Sequence, residues 1–405
     1  MSQAILPGTT ASGQQTTLGV MGGGQLGRMF VQAAQRMGYF TAVLDPDPAS
    51  PAGLVSHYHI QADYLDEQAL AQMMQRCAAI TTEFENVPSP AMFTLGAHRP
   101  VAPAADALAI AQDRIREKAH FAACGVSCAP YVAITTLEKL ASAPTALLPG
   151  ILKTARLGYD GKGQIRVQDR AALEAAWATL GQVPCVLEKE LVLHDECSVI
   201  VARGWDGAMV DFPVQRNLHR AGILAVTEVF AGNLPPPIAA QAVAAARAIA
   251  QGLQYVGVLC VEFFVVQGEG GAASPPGLLV NEIAPRPHNS GHYTLDACDQ
   301  SQFDLQVRTL AGLPLLQPRQ HSPAIMLNLL GDLWFKRSAS SADGAITTPD
   351  WAAALALPGV HLHLYGKLAA RAGRKMGHLT VTGESLAQVR SVAAQAADRL
   401  GITLA

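Results

Sequence analysis

Glu262 and Glu282 stand where carboxylates are unusual. Glu262 lies in Gly257-Val258-Leu259-Cys260-Val261-Glu262-Phe263-Phe264, and Glu282 in Leu278-Leu279-Val280-Asn281-Glu282-Ile283. A carboxylate inside an apolar strand needs a cation or several donors, because burying an unpaired ion is costly. Magnesium bridging nucleotide phosphates meets that need, since this hard ion commonly takes one or two carboxylates plus phosphate oxygens. The alternative is that arginine or backbone donors satisfy both groups structurally. Directly after Glu282 comes Ala284-Pro285-Arg286-Pro287-His288-Asn289-Ser290-Gly291-His292, which reads as an active-site loop or, otherwise, as a proline-rich surface turn. Within it Arg286 is a fixed cation, and His288 is an imidazole able to move a proton near neutral pH or to serve as a structural hydrogen-bond partner.

Two glycine runs offer phosphate chemistry. Gly22-Gly23-Gly24-Gln25-Leu26-Gly27 satisfies G-x-G-x-x-G between a strand and a helix, with Asp45 about 20 residues on, the recipe for a dinucleotide pyrophosphate and ribose. The same glycines also serve close packing of strand and helix, so the run alone does not settle the ligand. Gly158-Tyr159-Asp160-Gly161-Lys162-Gly163-Gln164 follows a strand bearing Lys153, and its amides suit a flexible lid over polyphosphate. It lacks the G-x-x-x-x-G-K-[ST] spacing of a P-loop, and a plain glycine hairpin is its other reading.

These residues need elements to position them. A strand at Thr16–Met21, a helix at Arg28–Met37 and strands at Thr41–Leu44 and Ala79–Phe84 predict a small open parallel α/β unit over 17–112, with ligands at the strands' carboxyl ends. A helix over Ala104–Cys124 follows. Strands Ile151–Thr154, Ile165–Val167, Val186–Lys189, Cys197–Ala202, Val256–Val266 and Gly277–Ile283, with a helix at Pro237–Gln251, predict an α+β unit with an antiparallel sheet over 113–313. Strands at Ala324–Leu330, His361–Tyr365 and Gly377–Val381 with a final helix to Leu400 predict a small closing domain over 314–405.

Composition narrows the function classes. The 405 residues are half apolar and 15% charged with a formal charge of −3, which gives no electrostatic footprint for nucleic acid or anionic lipid. Val256–Val266 is too short to span a bilayer, so a membrane partner is not expected. Residues 1–16 read as a disordered leader, without the basic start and apolar run of a signal peptide. The seven scattered cysteines lack a C-x-x-C pair and read as reduced thiols in a cytoplasmic protein.

In order and spacing, Gly22–Arg28, Thr82–Val87, Asp113-Arg114, Gly158–Gln164, Asn217–His219, Asn281–His292 and Gly373–His378 resemble the N5-carboxyaminoimidazole ribonucleotide synthases of the ATP-grasp superfamily. The resemblance spans nearly all of 17–383. It implies an ATP-grasp fold with an N-terminal pre-ATP-grasp α/β domain, holding the ribonucleotide rather than a dinucleotide, and a small partly β C-terminal domain. It implies ATP- and bicarbonate-dependent carboxylation of 5-aminoimidazole ribonucleotide through carboxyphosphate, with magnesium on Glu262 and Glu282, and a homodimer. Matching motif positions place ATP among Arg114, Lys153, Gly158, Tyr159, Asp160, Gly161, Lys162, Gly163, Gln164, Glu188, Lys189, Glu190, Leu191, Glu196, His219, Asn281 and Glu282. The 188–191 backbone would meet adenine and Glu196 the ribose hydroxyls. Catalysis falls to Arg286, His288 and Lys153. The ribonucleotide falls to Gln25, Glu83, Tyr159, Arg286, His288 and Asn289, with Lys367, Arg374 and Lys375 on its phosphate unless these form a solvated basic turn. Three departures stand out: a long loop at 267–277, Lys162 where arginine is common, and Ala284 where some ATP-grasp relatives carry an asparagine, which leaves the magnesium count open. The rivals are a formate-using glycinamide ribonucleotide transformylase, a dinucleotide oxidoreductase and a catalytically dead nucleotide-binding regulator. The oxidoreductase leaves Lys153, the second glycine run and both buried carboxylates unexplained.

Overall fold

The computed structural model describes residues 4–10, 13–158, 163–267, 277–335 and 347–404. Three sheets organise them. The first is parallel throughout, with strands in the order Tyr58–Ile60, Phe40–Leu44, Thr17–Met21, Ala79–Thr82, Val101–Ala102. Its central strand, Thr-Leu-Gly-Val-Met, is buried along its whole length, the continuous burial expected of a parallel sheet covered on both faces. Helix Gln25–Arg36 covers it, with Phe30, Val31 and Ala34 in the core beside Leu18 and Val20.

The second sheet has four antiparallel strands in the order Tyr131–Ile134, Cys185–Lys189, Gly150–Thr154, Gln164–Val167. The glycine run therefore joins the last two as a hairpin. A third, nine-stranded sheet contains Leu193–Arg203, Gly257–Val266 and Gly277–Ala284, and runs on through Gln215–Arg220 and Ile223–Val229.

The strands expected as a separate closing unit belong to this same sheet. Ala324–Leu330 pairs with Ile223–Val229 on one side and Lys375–Thr382 on the other, which in turn pairs with Val360–Leu364. Helix Leu386–Leu400, capped by Ser385, packs Val389, Val392 and Ala396 on them.

Two expectations are corrected. The helix anticipated over Ala104–Cys124 is two helices, Ala105–Ala111 and Arg114–Ala123. Asp113 breaks it by accepting hydrogen bonds from the Ile115 and Arg116 amides, an N-cap that starts the second helix afresh. The leader is not disordered where described: the Ile5 amide donates to the Ala311 carbonyl at 2.8 Å, the Tyr39 hydroxyl donates to the Ile5 carbonyl at 2.7 Å, and Ile5 packs on the core under helix Gln25–Arg36. One apolar side chain and two backbone bonds suffice to pin it.

Candidate active site

Helix Arg114–Ala123 joins two of the sheets. Residues three and four apart share a helix face, so Arg114, Glu117 and Lys118 point the same way. Arg114 Nη1 meets Glu282 Oε2 at 2.8 Å on the nine-stranded sheet, while Lys118 Nζ meets Glu188 Oε1 at 3.0 Å on the four-stranded one. The other oxygen of Glu188 accepts from Lys153 Nζ at 2.8 Å. Lys118, Lys153 and Glu188 are all buried. Burial pushes the Glu188 carboxyl up, but the two ammonium groups outweigh it and bring it down to about 2. Two cations on one carboxylate leave a net positive charge where helix Arg114–Ala123 meets the four-stranded sheet, the electrostatic setting for a polyanion. Glu117, buried behind Arg114, accepts from the Ile283 amide at 2.8 Å, and burial pushes its carboxyl up to about 8.

Glu262 and Glu282 are direct cross-strand partners. Between them the register slips by one residue: Glu262 faces Glu282, whereas Phe263 faces Val280, so Asn281 is the extra residue of a bulge. That bulge explains the burial pattern. Val280 and Ile283 enter the core, while the two residues between them stay out of it. Both carboxylates are partnered. Glu262 Oε1 lies 3.1 Å from His288 Nε2, and the other oxygen lies 4.0 Å from His219 Nε2. Burial pushes Glu262 up, but His288, His219 and Lys375 bring it down to about 2. His219 Nδ1 also lies 3.0 Å from Glu196 Oε2; burial opposes its charge, yet Glu196 and Glu262 raise its pKa above the usual value.

These groups fit magnesium. The carboxylates are oxygen donors side by side, and the Asn281 Oδ1 beside them is buried without a hydrogen-bond partner. The arginine alternative holds for Glu282, which Arg114 occupies, whereas Glu262 is met by His288 and His219.

The loop after Glu282 is a structured site rather than a surface turn. Arg286 Nε meets Glu85 Oε2 at 2.5 Å, which, against the raising effect of burial, holds Glu85 at about 2. His288 Nδ1 lies 2.9 Å from Ser290 Oγ, and the Asn289 side chain is buried with both polar atoms unpartnered. Lys367 Nζ donates to the Lys375 carbonyl at 2.6 Å, and Lys375 lies close enough to Glu262 and His219 to act on both. Arg374 is turned away, donating to the Ala369 carbonyl at 2.7 Å. Lys189 and Glu190 amides donate to the carbonyls of Pro130 and Pro149, and Glu190 pairs with Arg166 at 3.0 Å. Gly158, Gly163 and Gln164 of the second glycine run are described, whereas Tyr159, Asp160, Gly161 and Lys162 lie outside the described residues, as does most of the 267–277 loop.

The first glycine run is already filled. Glu83 Oε1 and Oε2 accept from the Gly24 and Gly27 amides at 2.7 and 3.1 Å, placing a carboxylate on the helix N-terminus where a pyrophosphate would sit. Asp45 accepts from the Gly23 amide and the Tyr64 hydroxyl, both at 2.7 Å. A Cβ on Gly24 would come within 2.4 Å of Glu83 Oε1, so glycine is required here for the protein's own carboxylate. Gln25 stands half-buried at the same helix start.

Sequence reasoning missed Glu117, Lys118 and Glu85. The signal for the first two was available in Arg114-Ile115-Arg116-Glu117-Lys118-Ala119-His120-Phe121, where charges hold the 1, 4 and 5 positions of a face that ends in buried Phe121.

Comparison with known proteins agrees with this layout. Residues 15–112 match the ribonucleotide synthetase preATP-grasp domain, 119–303 the ATP-grasp domain and 324–392 the phosphoribosylaminoimidazole carboxylase C-terminal domain. An N5-carboxyaminoimidazole ribonucleotide synthase of Brucella melitensis is 42% identical over 372 residues, 90% of this chain and 96% of that one. The chain belongs to the N5-carboxyaminoimidazole ribonucleotide synthase family. A synthase of this family from Bacillus subtilis is 38% identical over 93% of this chain and 92% of its own. Among solved structures, the Staphylococcus aureus N5-carboxyaminoimidazole synthetase complexed with ADP aligns at TM-score 0.83 and 35% identity, covering 97% of this chain and 99% of that one. The Aspergillus clavatus synthase in complex with ADP and 5-aminoimidazole ribonucleotide aligns at TM-score 0.82 and 29% identity, covering 95% and 98%.

Proposed function

We propose that this chain is an ATP-grasp ligase that carboxylates 5-aminoimidazole ribonucleotide to N5-carboxyaminoimidazole ribonucleotide in purine biosynthesis, releasing ADP and phosphate. The observation that carries the reading is helix Arg114–Ala123, which ties the Lys153–Glu188–Lys118 cluster to Glu282 and so to its cross-strand partner Glu262, joining a cluster read as phosphate-binding to a pair read as cation-binding. Family membership names the acceptor, since the Aspergillus clavatus relative holds ADP and the ribonucleotide together.

Bicarbonate is the carboxyl source in this reading. Its oxygen attacks the γ-phosphorus of ATP, ADP leaves, and carboxyphosphate forms. The ribonucleotide's exocyclic nitrogen then captures the carboxyl carbon, or the CO2 released from it, as phosphate departs and the amine loses a proton. Glu262, Glu282 and Asn281 would hold magnesium, which when bound offsets the charge on the phosphate oxygens. Lys153 and Lys118 supply fixed positive charge to the polyphosphate, and Arg114 moves between Glu282 and phosphate oxygens. In this reading His288, with Nε2 on Glu262 and Nδ1 on Ser290 Oγ, takes the amine proton, and Arg286 beside it orients bicarbonate. The Gly158–Gln164 lid keeps water from carboxyphosphate. Homodimer assembly rests on the family resemblance, and a cytoplasmic location on the seven scattered cysteines without a C-x-x-C pair.

The test is ADP release with magnesium, ATP and bicarbonate, with and without 5-aminoimidazole ribonucleotide. Strong stimulation by the ribonucleotide, dependent on bicarbonate, supports the reading. Stimulation only by formate with glycinamide ribonucleotide, or no ATP turnover, overturns it.

A further inference from the structure

Four of the twelve histidines gather at the hairpin Val360–Leu364/Lys375–Thr382: His361, His363 and His378 lie on it, and the ring of His292 packs against His378. His363 and His378 are direct cross-strand partners, and their rings stack with centroids 4.5 Å apart and 11° between planes. Asp296, on the short helix Thr294–Ala297, reaches across to His363 Nε2 at 2.9 Å and lies 3.7 Å from His361 Nδ1. One donor atom each from Asp296, His363 and His378 falls within a 4.8 Å cluster. The reaction proposed above uses none of them.

The cluster carries an unmet demand. His378 is fully buried; its Nδ1 lies 3.0 Å from the Tyr365 hydroxyl, and its Nε2 has no partner. The His378 tautomer that gives Nδ1–H to the Tyr365 hydroxyl leaves its lone pair at Nε2, the arrangement of a metal-bound histidine whose second nitrogen is oriented by an outer hydrogen bond. Two imidazoles and a carboxylate form the N/O donor set of open zinc sites, unlike the all-oxygen set at Glu262 and Glu282. Access exists on the His361 and His363 side, where the side chains are 41% and 31% exposed.

We propose that Asp296, His363 and His378 form a binding site for a Zn2+-class transition metal, with His361 as a further ligand beside Asp296. Bonds of ~2.0–2.1 Å to Zn2+ draw the donors closer than 4.8 Å, and because the His363 and His378 rings are stacked with 11° between planes, one ring turns on binding so that both in-plane lone pairs aim at the ion. The ion would fasten the hairpin that carries Lys375 to helix Thr294–Ala297, just after His292.

The experiment uses the full-length protein without a histidine tag, stripped with chelator and returned to magnesium buffer. Zn2+ is titrated with bound metal counted by elemental analysis, and Co2+ serves as the visible-absorption probe of the ligand set. One Zn2+ per chain, a higher Tm and a Co2+ spectrum of nitrogen and oxygen ligands are expected. Asp296→Asn and His363→Gln, both at partly accessible positions, should each weaken binding by more than the ~10–100-fold that loss of an outer-shell partner costs. Substoichiometric metal on the wild-type chain overturns the proposal, as does Zn2+ binding that survives the double variant Asp296→Asn/His363→Gln. Both readouts are independent of ADP release, so failure here leaves the proposed activity standing.

Discussion

Replacing Glu188 with glutamine tests whether the buried charge cluster between the sheets is held by one carboxylate. Glu188 is 3% exposed and bonds Lys118 and Lys153 at 3.0 and 2.8 Å. Holding its carboxyl at about 2 rather than 4.5 corresponds to roughly 3 kcal/mol of native stability at neutral pH. Removing one partner of a buried ion pair costs about 3–5 kcal/mol by mutation, so the two routes agree in size. The sign also follows. A carboxyl depressed in the native state contributes fully above 4.5, and its contribution fades as pH falls through about 2. Glu188→Gln should therefore lose stability at pH 7 and converge on the wild type near pH 2, if both still fold there. Denaturant unfolding followed by fluorescence suits the measurement, because Trp177 lies in the core of the same four-stranded sheet. Lys118→Met is the control: it leaves the Lys153–Glu188 pair intact and should cost less. A loss below about 1 kcal/mol in Glu188→Gln, or a larger loss in Lys118→Met, would refute the argument that Glu188 neutralises two ammonium groups.

Other perturbations test separate parts of the site. Glu282→Ala should lower ribonucleotide-stimulated ADP release by about 10²–10³-fold, the scale of losing one electrostatic stabiliser, while Tm changes little because the side chain is 36% exposed. Gly24→Ala should cost about 1–3 kcal/mol in thermal unfolding, because its Cβ displaces Glu83 from the helix amides. NADH should not bind the wild type, and binding seen by fluorescence would contradict the Glu83-filled N-terminus. Glu117, raised to about 8, makes native stability decline as pH rises from 4.5 to 8; Glu117→Gln keeps an acceptor for Ile283 and should remove roughly 4–5 kcal/mol of that decline in urea titrations at several pH values.

Much of this site was legible in the sequence because burial and charge conflict there. Glu262 and Glu282 announce themselves as ions in apolar strands, and Lys153 precedes a glycine run that no P-loop spacing explains. The bulge at Asn281 was not legible, since it exists only in the register between two strands separated by a long loop. Lys118 was lost for a different reason. Arg114 and Lys118 share a face in any helix that contains both, but the carboxylates that face meets, Glu282 and Glu188, lie on two different sheets that no local pattern brings together. The pinned leader depends on Tyr39 and Ala311, far away in the chain.

The glycine fingerprint failed as a ligand signal because it reports geometry. Its glycines require that something approach the backbone closely at a helix N-terminus, and they do not specify what approaches. Strands Thr17–Met21 and Ala79–Thr82 are parallel neighbours in register, Met21 beside Thr82. The next residue on each strand is therefore Gly22 on one and Glu83 on the other, side by side at the sheet's carboxyl edge. Once that pairing forms, Glu83 is the nearest anion to the open amides of Gly24 and Gly27, and the chain supplies internally what a dinucleotide supplies elsewhere. Strand order, which lies beyond any local pattern, decides between the two.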